Sequence, residues 1–264
     1  MYNFNYHRPA SVADAAALLA ANEDAKLMAG GQTYLPTLKQ RLAQPSDVID
    51  LGGIAELRGI KEEAGGVTIG AMTRHADVAH SDVVKRVIPS LAALAELIGD
   101  PQVRNRGTLG GSISNNDPAA DYPGALLALG ATIRTNKREI AADDFVTGMF
   151  ETALARDEIV TAVHFPKPEK GAYAKFPNPA SRYSMVGVFV AKTGGGVRVA
   201  VTGAGPCAFR WVDAENALAG SFTAAALDGL GVDAGGLNSD IHASADYRAH
   251  LIKVMAKRAV AAAG

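Results

Sequence analysis

Two glycine pairs constrain this chain more than any other feature. They lie in "KLMAGGQTYLP", residues 26–36, and in "RNRGTLGGSISNNDPAADYPGALLALG", residues 104–130. In the first, an extended run, Lys26–Ala29, stops at Gly30-Gly31. Gln32 and Thr33 then lead into a helical run in which Pro36 fits only the first turn. Glycine admits positive φ and lets a ligand reach the backbone with no Cβ in the way. Consecutive amides can then turn toward an anion, and a helix start adds free N–H groups and a positive dipole end. Residues 26–33 are therefore a candidate pyrophosphate cradle, with Thr33 adding a hydroxyl and Gln32 an amide. The pattern is neither the triphosphate loop nor the G-x-G-x-x-G of NAD domains. An isolated glycine pair is more often a plain turn, and Gly52-Gly53 and Gly65-Gly66 read as such.

The second pair carries more polar groups. Thr108, Gly110, Gly111 and Ser112 offer backbone and hydroxyl donors in a compact loop. Asp117 followed by Pro118 reads as an N-cap and a first helical residue. Asp121 then falls in the first turns of that helix. A carboxylate there repels phosphate but accepts hydrogen bonds from sugar or ribityl hydroxyls. It equally suits an acid that complements a helix dipole. On the residues alone both readings stand.

With 264 residues, 48% hydrophobic and 20% charged, the chain has the balance of a folded protein and enough length for a sizeable core. A net charge of −1 argues against a nucleic-acid protein that relies on bulk positive charge. One cysteine, Cys207, forms no internal disulfide and cannot alone hold an iron–sulfur cluster or structural zinc; it reads as a small buried hydrophobe. The six histidines show no metal-ligand spacing and read as surface or hydrogen-bonded residues. With no signal peptide in "MYNFNYHRPAS" and no bilayer-length apolar run, the expected location is cytoplasmic.

Alternating helix and strand over the first fifty or so residues suggests a small α/β unit. Ser11, with Asp14 three residues on, is placed to cap a helix over "SVADAAALLAAN". "DVIDLG" reads as a strand, and two extended runs flank "EEAGG" as a hairpin. "VKRVIPSLAALAELIG" has helical spacing after Pro89, "ATIRTNKREIAADDF" reads as strands turning near Asn136-Lys137, and "DEIVTAVHFP" closes the middle region as a strand. "PKPEKG" suits a linker. Beyond it lie a hairpin around Gly194–Gly196 and a long helix, "YRAHLIKVMAKRAVAAA".

Taken in order, "Y-x-R-P-A-S-V-x-D-A", "KLMAGGQTYLP", "VTIGAMTRH", "VRNRGTLGGSISNNDPAADYP" and "DEIVTAVHFP" resemble the FAD-binding medium subunit of molybdenum hydroxylases, the xanthine dehydrogenase and aerobic carbon monoxide dehydrogenase family. "KFPNPASRYSMVGVFVA" and the helical tail resemble its C-terminal domain. The resemblance implies an α+β fold: an FAD-binding domain of vanillyl-alcohol-oxidase type with two α+β subdomains, residues 1–57 and 58–166. A small C-terminal domain, residues 167–264, would follow with a three-stranded antiparallel sheet and helices. The implied FAD contacts are Lys26, Leu27, Met28, Ala29, Gly30, Gly31, Gln32 and Thr33, then Thr108, Gly110, Gly111, Ser112 and Asp121. Ile98 and Val103 would line the flavin region, Ile159 and Val160 would touch FAD from a strand, and Lys175 would lie near the ring. Tyr183 covers the ring or is a half-buried tyrosine at a strand start. Tyr34, where relatives often carry leucine, adds bulk and a possible stacking surface.

The implied partners are a large molybdenum-cofactor subunit and a small subunit with two [2Fe-2S] clusters, for which this chain has no ligand set. The expected role is to take electrons from the iron–sulfur subunit into FAD and deliver them to an external electron acceptor. A flavin-free assembly subunit that keeps the fold is the alternative, but such a scaffold needs neither glycine loop nor Asp121. A self-sufficient flavin oxidase is a weaker third reading, with no evident substrate-binding domain.

Overall fold

The computed structural model describes residues 1–63 and 65–264. Ser11 caps the first helix, Val12–Ala21, by accepting from the Asp14 amide. That helix crosses between parallel strands, which a tight hairpin cannot join. Strands Asn5–His7 and Lys26–Met28 flank Asp47–Asp50 in a three-stranded parallel sheet. Ala15 and Leu19 of the helix pack with Ile49, Leu51 and Ile54.

The middle of the chain forms a five-stranded antiparallel sheet, ordered Ile60–Glu63, Gly66–Gly70, Val160–Pro166, Thr132–Thr135, Glu139–Ala141. The expected hairpin at "EEAGG" is present, with Glu63 opposite Gly66; its Ala64 lies outside the described residues. Helices Pro89–Glu96, Leu109–Asn115 and Tyr122–Leu129 pack with this sheet. Val67, Ile69, Leu91, Leu126, Val163 and Phe165 are fully buried there, each contributing about 1.5–3 kcal/mol by leaving water.

The C-terminal sheet has four strands rather than the expected three: Lys170–Pro177, Ser184–Thr193, Gly196–Thr202 and Phe209–Arg210, all antiparallel. The fourth is two residues long, paired with Ala200 and Val201, and too short to leave a period in the sequence. Its central strand is buried on both faces. Val186, Val188 and Val190 meet the long helix Ala245–Ala263, while Phe189 and Ala191 join the middle core. The period-two alternation of side chains thus fastens the two regions together.

Asp117 does not cap a helix. The carbonyl of Pro118 accepts from the Gly203 amide, that of Ala119 from the Ser184 amide, and that of Ala120 from the Thr202 hydroxyl. These carbonyls are committed to the C-terminal sheet, so no helix can propagate through them. Asp117 instead closes a turn onto the Ala119 amide at 2.9 Å. The helix starts at Tyr122, with Pro123 in its first turn and Gly130 in the left-handed region at its end. Asp121 sits at the cap position, yet its side chain makes no cap bond.

Candidate functional site

A cleft of about 750 Å³ opens where the three regions meet. Of the residues expected to hold a cofactor, Lys26, Leu27, Ala29–Thr33, Ile98, Val103, Thr108, Gly110–Ser112, Asp121, Ile159, Val160 and Tyr183 line it. Met28 and Lys175 stand behind the wall. Two segments far apart in sequence therefore border one cleft.

The loops touch directly. A Cβ on Gly30 would lie 2.0 Å from the Arg106 carbonyl oxygen, and one on Gly111 would lie 3.2 Å from Ala29 Cβ. Gly31 has φ +73, a conformation that turns successive amides to one side. The amides of Gly30, Gly31, Gln32 and Thr33 donate to no group among the described residues. Thr33, at the start of helix Tyr34–Lys39, makes no side-chain cap bond, so its hydroxyl is also uncommitted.

The second loop differs from expectation. Thr108 is the N-cap of helix Leu109–Asn115, so Gly110 and Gly111 are helical rather than in a loop. Its amides are already bonded: Leu109 to the Thr73 carbonyl, Gly110 to the Ala71 carbonyl, Gly111 to the Thr108 hydroxyl and Ser112 to the Thr108 carbonyl. This loop therefore offers hydroxyls from Thr108 and Ser112, and its glycines serve close packing.

Asp121 is 4% exposed. Its Oδ2 accepts from Lys175 Nζ at 2.9 Å, and its Oδ1 from Ser184 Oγ at 2.8 Å and from the Tyr173 hydroxyl. Burial and the Asp121 charge hold the Tyr173 hydroxyl firmly protonated, which keeps it a donor. Lys175 also donates to the Leu97 carbonyl at 3.0 Å. The two charges neutralise one another beneath the cleft wall and tie three segments together.

The next corner is held by another buried cation. Arg104 donates to the carbonyls of Ile98 and Gly99 at 3.1 and 3.2 Å and pairs with Glu96 at 2.9 Å. Val103 lies within its short helix, Pro101–Arg104. At the far end, Ile159 is buried in the N-terminal core. Its amide and carbonyl are both taken by Asn136, leaving mainly its apolar side chain and Val160 to form the wall. Beside them Glu158 is held at about 2 by hydrogen bonding to Arg138. Tyr183 is half-exposed on the loop over the cleft.

Two features, at His75 and Phe150, went unread in the sequence. His75 is not a surface or hydrogen-bonded residue: it is buried, lines the cleft, and its Nδ1 has no partner among the described residues. Phe150, at the tip of a hairpin joining Val146–Gly148 to Glu151–Thr152, lines the mouth with φ +56. Tyr34, expected to add bulk and a stacking surface, also lines the cleft with a buried hydroxyl that has no partner among the described residues. Cys207 is half-buried, and burial raises its thiol pKa.

Free amides at residues 30–33, the Thr108 and Ser112 hydroxyls and apolar side chains thus share one cleft, a set of groups that suits a dinucleotide. Residues 2–168 match the family model described as the FAD binding domain in molybdopterin dehydrogenase. The chain is 39% identical over 273 residues to the nicotine 6-hydroxylase medium subunit of Paenarthrobacter nicotinovorans, covering 98% of this chain and 96% of that one. The structure of carbon monoxide dehydrogenase from Hydrogenophaga pseudoflava superposes with a TM-score of 0.91 at 39% identity, covering 99% of this chain and 97% of the matched one. Quinoline 2-oxidoreductase from Pseudomonas putida 86 gives 0.89 at 31% identity, with 99% and 97% covered. The chain belongs to the family of FAD-binding subunits of molybdenum hydroxylases. It is an oxidoreductase subunit and its cofactor is FAD.

Proposed function

We propose that the cleft holds FAD with its pyrophosphate on the amides of residues 30–33 and its ribityl chain beside Thr108, Ser112 and Asp121. The flavin ring then lies by Ile98, Val103, Lys175 and Tyr183, and the adenosine end by Ile159 and Val160. The single observation that carries this reading is the run of amides at Gly30–Thr33 that bond to no group among the described residues: clustered beside the cleft at a glycine turn and a helix start, they are free to turn to an anion. Two α+β subdomains of vanillyl-alcohol-oxidase type, meeting at the cleft, are the corresponding fold reading.

FAD supplies the capacity to take up and release electrons. The chain's own residues bind it, exclude water from one face and set the charge around it. The Lys175–Asp121 pair supplies a fixed dipole under the ring end rather than a free cation. The electrons come from a small two-[2Fe-2S] subunit reduced by a large molybdenum subunit, and they leave for an external acceptor. Relatives named for nicotine, carbon monoxide and quinoline match this chain to similar extents, which supports a subunit indifferent to the molecule being hydroxylated. With no helix among the described residues long and apolar enough to cross a membrane, a cytoplasmic complex is the accompanying reading.

Titrating the flavin-free chain with FAD and with riboflavin tests the pyrophosphate assignment. FAD is expected to bind at least about 100-fold more tightly, since charge-assisted bonds to a phosphate are worth roughly 1.5–3 kcal/mol each. Equal affinities would remove the cradle from the account.

A further inference from the structure

Behind the junction of the two glycine loops sits a polar group that the fold does not satisfy. His75 begins helix His75–His80, and its amide donates to the Gly107 carbonyl at 3.0 Å. The adjoining residue Arg74 bridges Thr108 across an antiparallel pair, so His75 is anchored by backbone to the strip that carries the second loop. Its side chain lies against the Tyr122 ring, centroids 5.4 Å apart. Only 5% of the residue is exposed, it lines the cleft, and Nδ1 has no hydrogen-bond partner among the described residues. Burial and the nearby Arg104 charge lower its pKa to about 4, which keeps the ring neutral.

A neutral imidazole carries one proton on one of its two nitrogens. A buried N–H without an acceptor is costlier and rarer than an unused lone pair. The orphaned Nδ1 is therefore best left as the bare nitrogen, which places the proton on Nε2. That nitrogen faces Gly107, itself a cleft residue. A Cβ on Gly107 would stand 2.6 Å from Nε2, so the glycine keeps the space in front of it clear. The arrangement is a single donor, held by packing, at the wall of the cleft beside the second glycine loop.

We propose that His75 is a further FAD-binding residue, donating a hydrogen bond from Nε2 to an oxygen of the ribityl–pyrophosphate segment. This rests on the FAD reading of the cleft. It differs from the roles of the glycine loops, because it explains why a polar ring is retained at a site where the protein gives it no partner.

The test uses the full chain stripped of flavin and titrated with FAD by fluorescence, alongside thermal melts of the flavin-free forms. His75→Leu keeps the volume and removes the donor. It is expected to weaken FAD at least about tenfold. Its flavin-free form should melt at or above the wild-type temperature, because an unsatisfied buried group has been removed. His75→Gln restores an N–H near the Nε2 position and is expected to recover affinity to within about threefold of wild type. A leucine variant that binds FAD as wild type does, or whose flavin-free form melts below it or fails to fold, overturns the inference: in either case the ring is structural. A glutamine variant as weak as leucine overturns it too. Wild type that takes up no FAD would instead remove the cofactor reading beneath it.

Discussion

Gly30 is the residue on which the two loops close. A methyl there would stand 2.0 Å from the Arg106 carbonyl oxygen, a contact that only backbone movement can relieve. Gly30→Ala is therefore expected to cost about 1–3 kcal/mol of stability, the usual range for overpacking, and to lower bound flavin with it; a melt and a flavin count check both. Gly111 behaves differently. Its Cβ would meet Ala29 at 3.2 Å and the Thr108 hydroxyl at 2.9 Å, so Gly111→Val pushes the loops apart at the cleft while the core beneath is untouched. The expected outcome is loss of flavin with the far-ultraviolet circular dichroism spectrum preserved, and full flavin retention would make the second loop purely structural. At this scale sequence reading had mixed reach. The glycine turn into a helix at residues 30–34 was legible because a glycine pair and a helix start leave a local mark. His75 was not, since one histidine at a helix start says nothing about which core surrounds it.

Among the elements, the turn at residues 117–120 shows how tertiary contacts override a local signal. "DPAAD" offers two acids ahead of a helix, and the cap-plus-proline rule favours Asp117. "DYPGALLALG" carries the competing signal, a proline in the first turn and a glycine at the end, and the C-terminal sheet decides by taking the carbonyls of residues 118–120. Strand Ser184–Thr193 was legible through its β-branched run, whereas Lys170–Pro177, "KGAYAKFP", has small and long polar residues and owes its strand to pairing along Ser184–Lys192. This neighbouring strand delivers Tyr173 and Lys175 to Asp121. Asp121→Asn would leave a lysine, whose side chain is 3% exposed, buried without its counter-charge. Breaking a buried pair in this way is expected to cost about 3–5 kcal/mol. Adding Lys175→Met should recover much of that stability, and chemical denaturation of the single and double variants measures the difference. If the single variant is as stable as wild type, the pair is not what joins these segments.

For the whole molecule, two cleft-wall groups with opposite charge logic contribute to acid stability. His75, ordinarily near 6.5, titrates at about 4 when folded, so the unfolded chain binds its proton first and stability falls as pH drops from 6.5 toward 4. Glu158, ordinarily near 4.5, is held at about 2 by Arg138; its contribution is complete above 4.5 and is lost as pH falls from there toward 2. A melt-versus-pH profile should therefore begin to slope near 6.5, and His75→Leu should flatten that upper limb while leaving the lower one. The overall order of strands and helices was readable because each region has its own local period. The four-stranded count was not, because it depends on a long-range contact, and the meeting of three regions at one cleft was legible only through the family resemblance, not from any local period. The central claim is that this cleft binds FAD without a covalent link. It is tested most directly by the absorbance spectrum of the purified full chain, followed by release of the flavin with denaturant. The account predicts a flavin spectrum and about one releasable FAD per chain; a colourless protein that takes up no added FAD would contradict it.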